Sequence, residues 1–185
     1  MYEPISQVLD PNLILDHITI ANRPGSMKVA DLGCGASGFF VLPMAERIKD
    51  RGKVYAVDVV KDSLVSVENT ARTAGLHNEI ETIWADLEHP GATGLDENSI
   101  DLVMLINTLF QMDKPDVAMA ETARILKPSG QVLVIDWGHQ TGISGPPAEN
   151  RIPINEFIKL ATSIELKEGL RFKASPHHYG VIFEQ

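Results

Sequence analysis

Short, strongly apolar segments alternate along the chain with longer segments whose apolar residues recur every three or four positions. The short segments are rich in Val and Ile and apolar on both faces, as strands buried in a parallel sheet must be. They cover residues 27–32, 54–57, 80–84, 100–106 and 131–137. The pattern predicts five parallel strands joined by helices and short turns, hence an α/β fold with helices on both faces.

The segments between the strands carry apolar stripes at helical spacing. Phe40, Met44 and Ile48 recur every fourth residue, and similar stripes fall within residues 64–74, 119–126 and 157–164. Ile14 and Ile18 indicate a short helix before the first strand, within a helical lead-in of residues 1–26. Together with the strands, these stripes predict a single domain over residues 1–185.

The end of the chain departs from this rhythm. Two strand-like segments, residues 170–174 and 179–184, are separated by only four residues. That connection is too short for a parallel crossover, so the two strands are expected to form an antiparallel hairpin. Residues 138–153, which contain Gly and Pro, are expected to form a lid loop.

A glycine pattern follows the first strand directly. Gly33, Gly35 and Gly38 form G-x-G-x-x-G between that strand and an amphipathic helix, the context in which this pattern indicates a nucleotide-type ligand. Glycines allow a tight turn and let a ligand approach the backbone closely. The loop alone fits either a dinucleotide or a nucleoside without phosphates.

Carboxylates at the ends of three successive predicted strands narrow this choice. Asp31 precedes the glycines, where it would repel a pyrophosphate but attract a ligand with cationic ammonium and sulfonium groups. Asp58, 20 residues beyond Gly38, is placed to accept hydrogen bonds from ribose hydroxyls. Asp86 is placed to accept from an exocyclic amine, with Leu87 against the face of a purine.

These segments resemble the class I S-adenosylmethionine-dependent methyltransferases. The resemblance rests on residues 31–35, 56–58, 85–87 and 126–130, runs from about Met27 to the C-terminus, and is strongest to the small-molecule subgroup with quinone C-methyltransferases and arsenite methyltransferases. It implies a Rossmann-like sheet of seven mostly parallel strands in the order 3-2-1-4-5-7-6, with strand 7 antiparallel. It also implies S-adenosyl-L-methionine as the cofactor and methyl transfer by in-line displacement as the reaction.

The resemblance further implies a role for each matching residue. Gly33, Gly35 and Gly38 would shape the wall beneath the methionine group, with Asp31 near its ammonium. The ribose diol would bind Asp58, and the adenine would lie against Val59 and Leu87, with its amine on Asp86. Asn107, at the end of strand four, would face the methionine group and the methyl donor. Cys34, within the loop, would contribute its backbone or packing.

Composition and charge exclude several other classes of protein. The formal net charge of −9 disfavours sequence-independent binding to nucleic acid. No apolar run approaches the ~20 residues that a membrane-spanning helix needs, and no basic segment precedes an apolar one at the N-terminus, so a cytoplasmic protein is expected. Because Cys34 is the only cysteine, an internal disulfide and a multi-cysteine metal site are excluded. No metal is expected, and the chain is compatible with a homodimer.

The methyl acceptor is expected to be a small molecule, with a side chain on a protein as the other acceptor left open. One cysteine cannot supply the several thiols that bind arsenite, and strand four lacks the Asn/Asp-Pro-Pro-aromatic run of methyltransferases that act on adenine or glutamine amides. His139, His178 and Tyr179 are candidates for a general base or for orienting the acceptor. A base is needed only when the acceptor must lose a proton.

Two other functions stay open. A nicotinamide-dependent oxidoreductase could use the same glycine loop, but Asp31, the final hairpin and the missing Tyr-x-x-x-Lys pair disfavour it. A catalytically silent domain that binds S-adenosylmethionine is the other alternative.

Overall fold

The computed structural model describes residues 9–19, 26–138 and 145–185. The described residues form one sheet of seven strands: β1 (Met27–Leu32), β2 (Gly52–Asp58), β3 (Ile80–Trp84), β4 (Ile100–Ile106), β5 (Leu126–Trp137), β6 (Lys167–Lys173) and β7 (His178–Glu184). The helices are α1 (Pro11–Leu15), α2 (Val41–Ile48), α3 (Lys61–Ala74), α4 (Pro115–Ile125) and α5 (Ile154–Ser163). Turns of 3-10 helix lie at Lys49–Arg51, Leu109–Gln111 and Ala148–Asn150.

The strand order is β3-β2-β1-β4-β5-β7-β6. The pairs from β3 through β5 are parallel, whereas β7 is antiparallel to both β5 and β6. This order and the reversed β7 confirm the predicted fold. Strands β1 and β4 are neighbours, although 67 residues lie between the end of β1 and the start of β4. The connections therefore reverse direction between them, and the loops that follow these strands meet at one edge.

Side chains of the central strands alternate between two apolar layers. Val29 of β1 faces the layer that α1, α2 and α3 cover, whereas Ala30 and Leu32 face the layer covered by α4 and α5. Both faces of the central strands are therefore buried, which explains why their sequences are apolar at consecutive positions. Helix α2 shows the matching stripe on one side, with Val41, Met44 and their neighbours buried.

Three strands begin two or more residues before their predicted starts. Strand β2 begins at Gly52, where a Cβ would lie 2.0 Å from the backbone oxygen of Met27, so only glycine allows this pairing. Strand β5 begins at Leu126, five residues before the predicted start at residue 131, and it includes Ser129, whose φ is 73°. Strand β6 begins at Lys167, and its mostly exposed residues carry little apolar signal.

Candidate functional site

A cavity of about 400 Å³ opens at the carboxyl ends of β1, β2 and β3. It brings together six residues that the sequence predicted to bind the cofactor: Gly33, Gly35, Asp58, Val59, Asp86 and Leu87. Four other predicted residues, Asp31, Cys34, Gly38 and Asn107, do not line this cavity. The predicted site is therefore one place in the fold, although part of the predicted set lies behind its walls.

The carboxylate of Asp58 is held in a fixed orientation at this cavity. Its Oδ2 accepts a hydrogen bond of 2.8 Å from the backbone N–H of Gly35, and its Oδ1 accepts one of 2.8 Å from Val60. Each carboxylate oxygen can accept two hydrogen bonds, so both oxygens keep one free position. Asp58 can therefore accept from two neighbouring hydroxyl groups of a ligand without losing its anchors.

The three glycines of the motif differ in what an added Cβ would contact. A Cβ on Gly33 would lie 2.4 Å from Cγ2 of Thr108, so this glycine allows the loops after β1 and β4 to approach each other. A Cβ on Gly38 would only reach ordinary contact with Leu42 and Val67. A Cβ on Gly35 would meet nothing within 4 Å, and this glycine lines the cavity. Gly35 thus leaves the space that a ligand would fill.

Asp31 lies behind the cavity and is only 3% exposed. Burial, and then the neighbouring charge of Asp58, raise its pKa to about 7. A cationic group bound nearby would offset both effects and favour the ionised carboxylate. The same burial, with the charges of Asp31 and Asp58, raises the pKa of the Cys34 thiol. Cys34 therefore stays protonated and has no nucleophilic character at neutral pH.

Asp86 and Leu87 form the far wall of the cavity, beyond the end of β3. Oδ1 of Asp86 accepts a hydrogen bond of 3.0 Å from the backbone N–H of Glu88, and its Oδ2 lies 3.2 Å from Nδ1 of His89. The side chain of Asp86 is about half exposed, so it still has acceptor positions for a ligand amine. Leu87 is buried and offers an apolar surface beside it.

Asn107 follows β4 and is 7% exposed, with a φ of 54°. Its backbone is fully used, because its N–H donates to Ile135 and its carbonyl accepts from the amide of Gln111. Neither the oxygen nor the nitrogen of its side-chain amide has a hydrogen-bond partner in the described part of the chain. Buried polar atoms are rarely left unpaired, so Asn107 is a candidate ligand-binding group next to the cavity.

The segment after Asn107 completes the cavity and was not predicted from the sequence. Thr108, Gln111 and Met112 line it. The hydroxyl of Thr108 donates to the carbonyl of Leu32 at 3.0 Å, which ties this segment to the end of β1. The only feature of the sequence that could have indicated these residues is their position, because they follow a predicted central strand.

The candidates for a base lie elsewhere. His178 and Tyr179 line a second cavity, of about 440 Å³, beside Gly138 at the end of β5, and His139 lies outside the described residues. The hydroxyl of Tyr179 donates to the carbonyl of Ile152 at 3.2 Å, and burial, helped by the charge of Asp136, raises its pKa. These surroundings disfavour the phenolate that a base would require.

The predicted lid, residues 138–153, is packed where the structure describes it. Gly145 lies against Trp137, because a Cβ there would be 2.5 Å from the indole ring. The guanidinium of Arg151 donates to the carbonyls of Gly138 and Pro146, at 2.8 and 2.9 Å. These contacts hold the two sides of the loop together.

Comparison with known proteins shows the family of this chain. A family profile described as a methyltransferase domain matches residues 30–134, more than half of the chain. The chain belongs to this methyltransferase family. Curated relatives include the ubiquinone/menaquinone biosynthesis C-methyltransferase UbiE of Shewanella frigidimarina, 32% identical over 118 residues, which are 63% of this chain and 45% of that protein. The chain thus spans about half the length of the curated relatives it matches.

Solved structures share this fold. A SAM-dependent methyltransferase from Aquifex aeolicus superimposes with a TM-score of 0.84 at 23% identity, over 96% of this chain and 90% of that one. A geranyl diphosphate C-methyltransferase from Streptomyces coelicolor, in complex with S-adenosyl-L-homocysteine, superimposes with a TM-score of 0.73 at 14% identity, over 94% and 74% of the two chains. The predicted family, fold and cofactor, S-adenosylmethionine, are confirmed, and nothing supports the nicotinamide-dependent alternative.

Within residues 9–19, 26–138 and 145–185, no group of three or more His, Cys, Asp or Glu side chains is placed to hold a metal ion. None of the helices in these ranges is both long and apolar enough to cross a membrane.

Proposed function

We propose that this protein transfers the methyl group of S-adenosylmethionine to a small-molecule acceptor by in-line displacement. The observation that carries the proposal is the cavity at β1–β3, where the fixed carboxylate of Asp58 stands beside the open space above Gly35. S-adenosylmethionine supplies a methyl group already activated by the sulfonium charge. The protein then contributes mainly alignment, for which effective molarities correspond to about 7–11 kcal/mol.

In this proposal the adenosine half of the cofactor occupies the cavity. Asp58 accepts from the ribose diol, Asp86 accepts from the adenine amine, and Val59 and Leu87 contact the two sides of the adenine. All four line the same space. Val59 is 55% exposed in the free protein. Contact with the adenine would remove this apolar surface from water, which favours binding.

The methionine half lies toward the ends of β1 and β4. Asp31 faces its ammonium through a short-range charge interaction, and Gly33, Cys34 and Gly38 shape the loop without direct chemistry. The unpaired amide of Asn107 binds the polar end of the methionine group or the acceptor beside it. This assignment gives partners to the two amide atoms that the described residues leave unpaired.

The acceptor class to test first follows from the relatives. Their name describes a C-methyltransferase of ubiquinone and menaquinone biosynthesis, so aromatic quinols come before amines or thiols. We further infer that residues 1–185 act as one domain and that the protein is cytoplasmic. Homodimer formation and the absence of nucleic-acid binding stay predictions.

Titration calorimetry with S-adenosylhomocysteine tests the cofactor site. Asp58→Asn keeps the size of the side chain but removes at least one charge-assisted hydrogen bond, worth about 1.5–3 kcal/mol, so the Kd should rise roughly 10- to 150-fold. Asp62→Asn is the matched control, because Asp62 is exposed on the first turn of α3 and does not line the cavity. Unchanged affinity in Asp58→Asn would refute the ribose assignment.

Transfer of labelled methyl from S-adenosylmethionine to a panel of acceptors tests the activity, beginning with 1,4-naphthohydroquinone. The expected result is a labelled product that depends on both substrates. Cofactor binding without any transfer across the panel would instead identify a silent binding domain.

A further inference from the structure

His178 is the first residue of β7, directly after the turn that joins this strand to β6. It is 4% exposed, and its ring lies 4.0 Å from that of Trp137, measured between centroids. It lines the cavity of about 440 Å³ that Gly138, Ile154 and Phe172 also border. Its Nε2 is buried and has no hydrogen-bond partner in the described part of the chain. A buried, unpaired ring nitrogen at a cavity points to a ligand atom that completes it.

The surroundings of Ser175 decide which nitrogen of His178 carries the proton. Oγ of Ser175 accepts hydrogen bonds from the backbone N–H groups of His177 and His178, both at 3.1 Å. These two bonds use both lone pairs of the hydroxyl oxygen. The hydroxyl hydrogen is then the only group available for the contact of 2.8 Å with Nδ1 of His178. Ser175 therefore donates and Nδ1 accepts.

This assignment fixes the chemistry of the other nitrogen. In neutral imidazole one nitrogen is a donor and the other an acceptor, so an accepting Nδ1 leaves the proton on Nε2. Burial, and then the charges of His177 and Arg151, lower the pKa of His178 to about 4, so the ring is neutral at pH 7. Nε2 is a hydrogen-bond donor in this state and has no lone pair with which to remove a proton.

We propose that His178 donates a hydrogen bond from Nε2 to a carbonyl or phenolic oxygen of the methyl acceptor, and that Ser175 is the positioning residue that fixes this tautomer. The proposal rests on the methyl-transfer function proposed above and replaces the general-base role that the sequence suggested for His178. The acceptor class follows from the chemistry: a neutral N–H donor in a cavity bordered by Ile154 and Phe172 suits an uncharged oxygen on a largely apolar molecule. Two cationic side chains also line the cavity: Arg171 is paired with Glu168 at 2.6 Å, and Lys173 is exposed to solvent, which screens its charge.

The tautomer can be measured without knowing the acceptor. Nitrogen-15 NMR of the protein bound to S-adenosylhomocysteine should show His178 with a protonated Nε2 and an unprotonated Nδ1 at pH 7, its signals assigned by their loss in His178→Gln. Ser175→Ala should produce a mixture of tautomers, whereas Ser163→Ala, which removes an exposed hydroxyl on α5, should change nothing. A wild-type protein with its proton on Nδ1 would overturn the proposal.

Ligand binding tests the donor role with a defined probe. The dissociation constant of 1,4-naphthoquinone from the protein saturated with S-adenosylhomocysteine should rise about tenfold in His178→Ala and stay within about threefold of wild type in His178→Gln, whose amide keeps a donor at a similar position. Naphthalene, which has no oxygen, should not distinguish the variants. Equal quinone binding by His178→Ala and wild type would overturn the proposal. A wild-type protein that does not bind S-adenosylhomocysteine would instead refute the proposed function.

Discussion

Gly35 offers a direct test of whether the cofactor uses the space above the glycine loop. Gly35 has a φ of +65°, and a Cβ added there meets nothing within 4 Å. Gly75, which ends α3, has a φ of +73° and equally open surroundings, but it is exposed and does not line the cavity. Alanine at either position carries the same backbone strain, and only one of the two methyl groups lies at the proposed site.

The expected magnitudes follow from this comparison. A Cβ in the left-handed region costs about 1–2 kcal/mol, so both variants should lose a similar free energy of unfolding. In Gly35→Ala the methyl group also occupies space that the cofactor needs. Overpacking of this kind costs about 1–3 kcal/mol, which corresponds to a roughly 5- to 150-fold weaker affinity.

Two measurements separate the effects. Urea denaturation of the free proteins gives the loss of stability, and titration calorimetry with S-adenosylhomocysteine gives the affinity. Gly75→Ala should bind as wild type does. Wild-type affinity in Gly35→Ala, with the expected loss of stability, would show that the cofactor does not approach this loop. An equal loss of affinity in both variants would point to a general loss of structure instead.

Three other predictions concern buried carboxylates. The pKa of Asp31 is about 7, and a bound ammonium would lower it, so binding of S-adenosylhomocysteine should release a proton below pH 7. Calorimetry should therefore show the affinity rising by up to about tenfold per pH unit from pH 5 to 7, and Asp31→Asn should remove this trend. Asp136, 1% exposed, has a pKa raised to about 7 by burial, against an unfolded value of 3.8. A raised folded pKa stabilises the protein at low pH, and that contribution is lost as pH rises from about 4 to 7, by at most about 4 kcal/mol; thermal melts of Asp136→Asn should show a smaller fall over this range. Glu121 is buried and accepts hydrogen bonds from Arg124 and Thr93. In urea denaturation, the Glu121→Gln variant should therefore have a free energy of unfolding about 1.5–3 kcal/mol lower than wild type, while its affinity for the cofactor is unchanged.

The central strands were predictable because burial on both faces leaves an apolar run with sharp ends. The predicted bounds of the central strands β1 and β4 agree with the structure. Those of the edge strand β3 agree as well, but its signal is the β-branched and aromatic residues Ile80, Thr82, Ile83 and Trp84 and not burial on both faces. The start of β6 was missed for the converse reason, because an exposed edge strand needs no apolar residues. The sequence therefore indicates strands by their burial and says less about strands that are not buried.

The glycine motif shows a second limit of sequence reasoning. Its location was correct, but the reason for each glycine depends on residues far away in the chain. Gly33 is required by Thr108, which lies 75 positions later and becomes a neighbour only because β1 and β4 pair. Asp31 and Asp58 likewise both occur at strand ends, yet only Asp58 lines the cavity.

The two halves of the proposed site differ in how they are encoded. The cofactor half is built mainly from residues that follow three successive strands, so each contributes a local motif, such as Asp58 after β2 and Asp86 after β3. The acceptor half depends on Asn107, on Gly138 after β5, and on a turn between the last two strands. Its chemistry changes with a single hydroxyl, because Ser175 makes His178 a donor and not a base. Ser175 and His178 lie only three positions apart, but they reach the acceptor half only because β7 pairs antiparallel with β5, which places His178 opposite Trp137. Local spacing alone therefore could not assign this contact to the site.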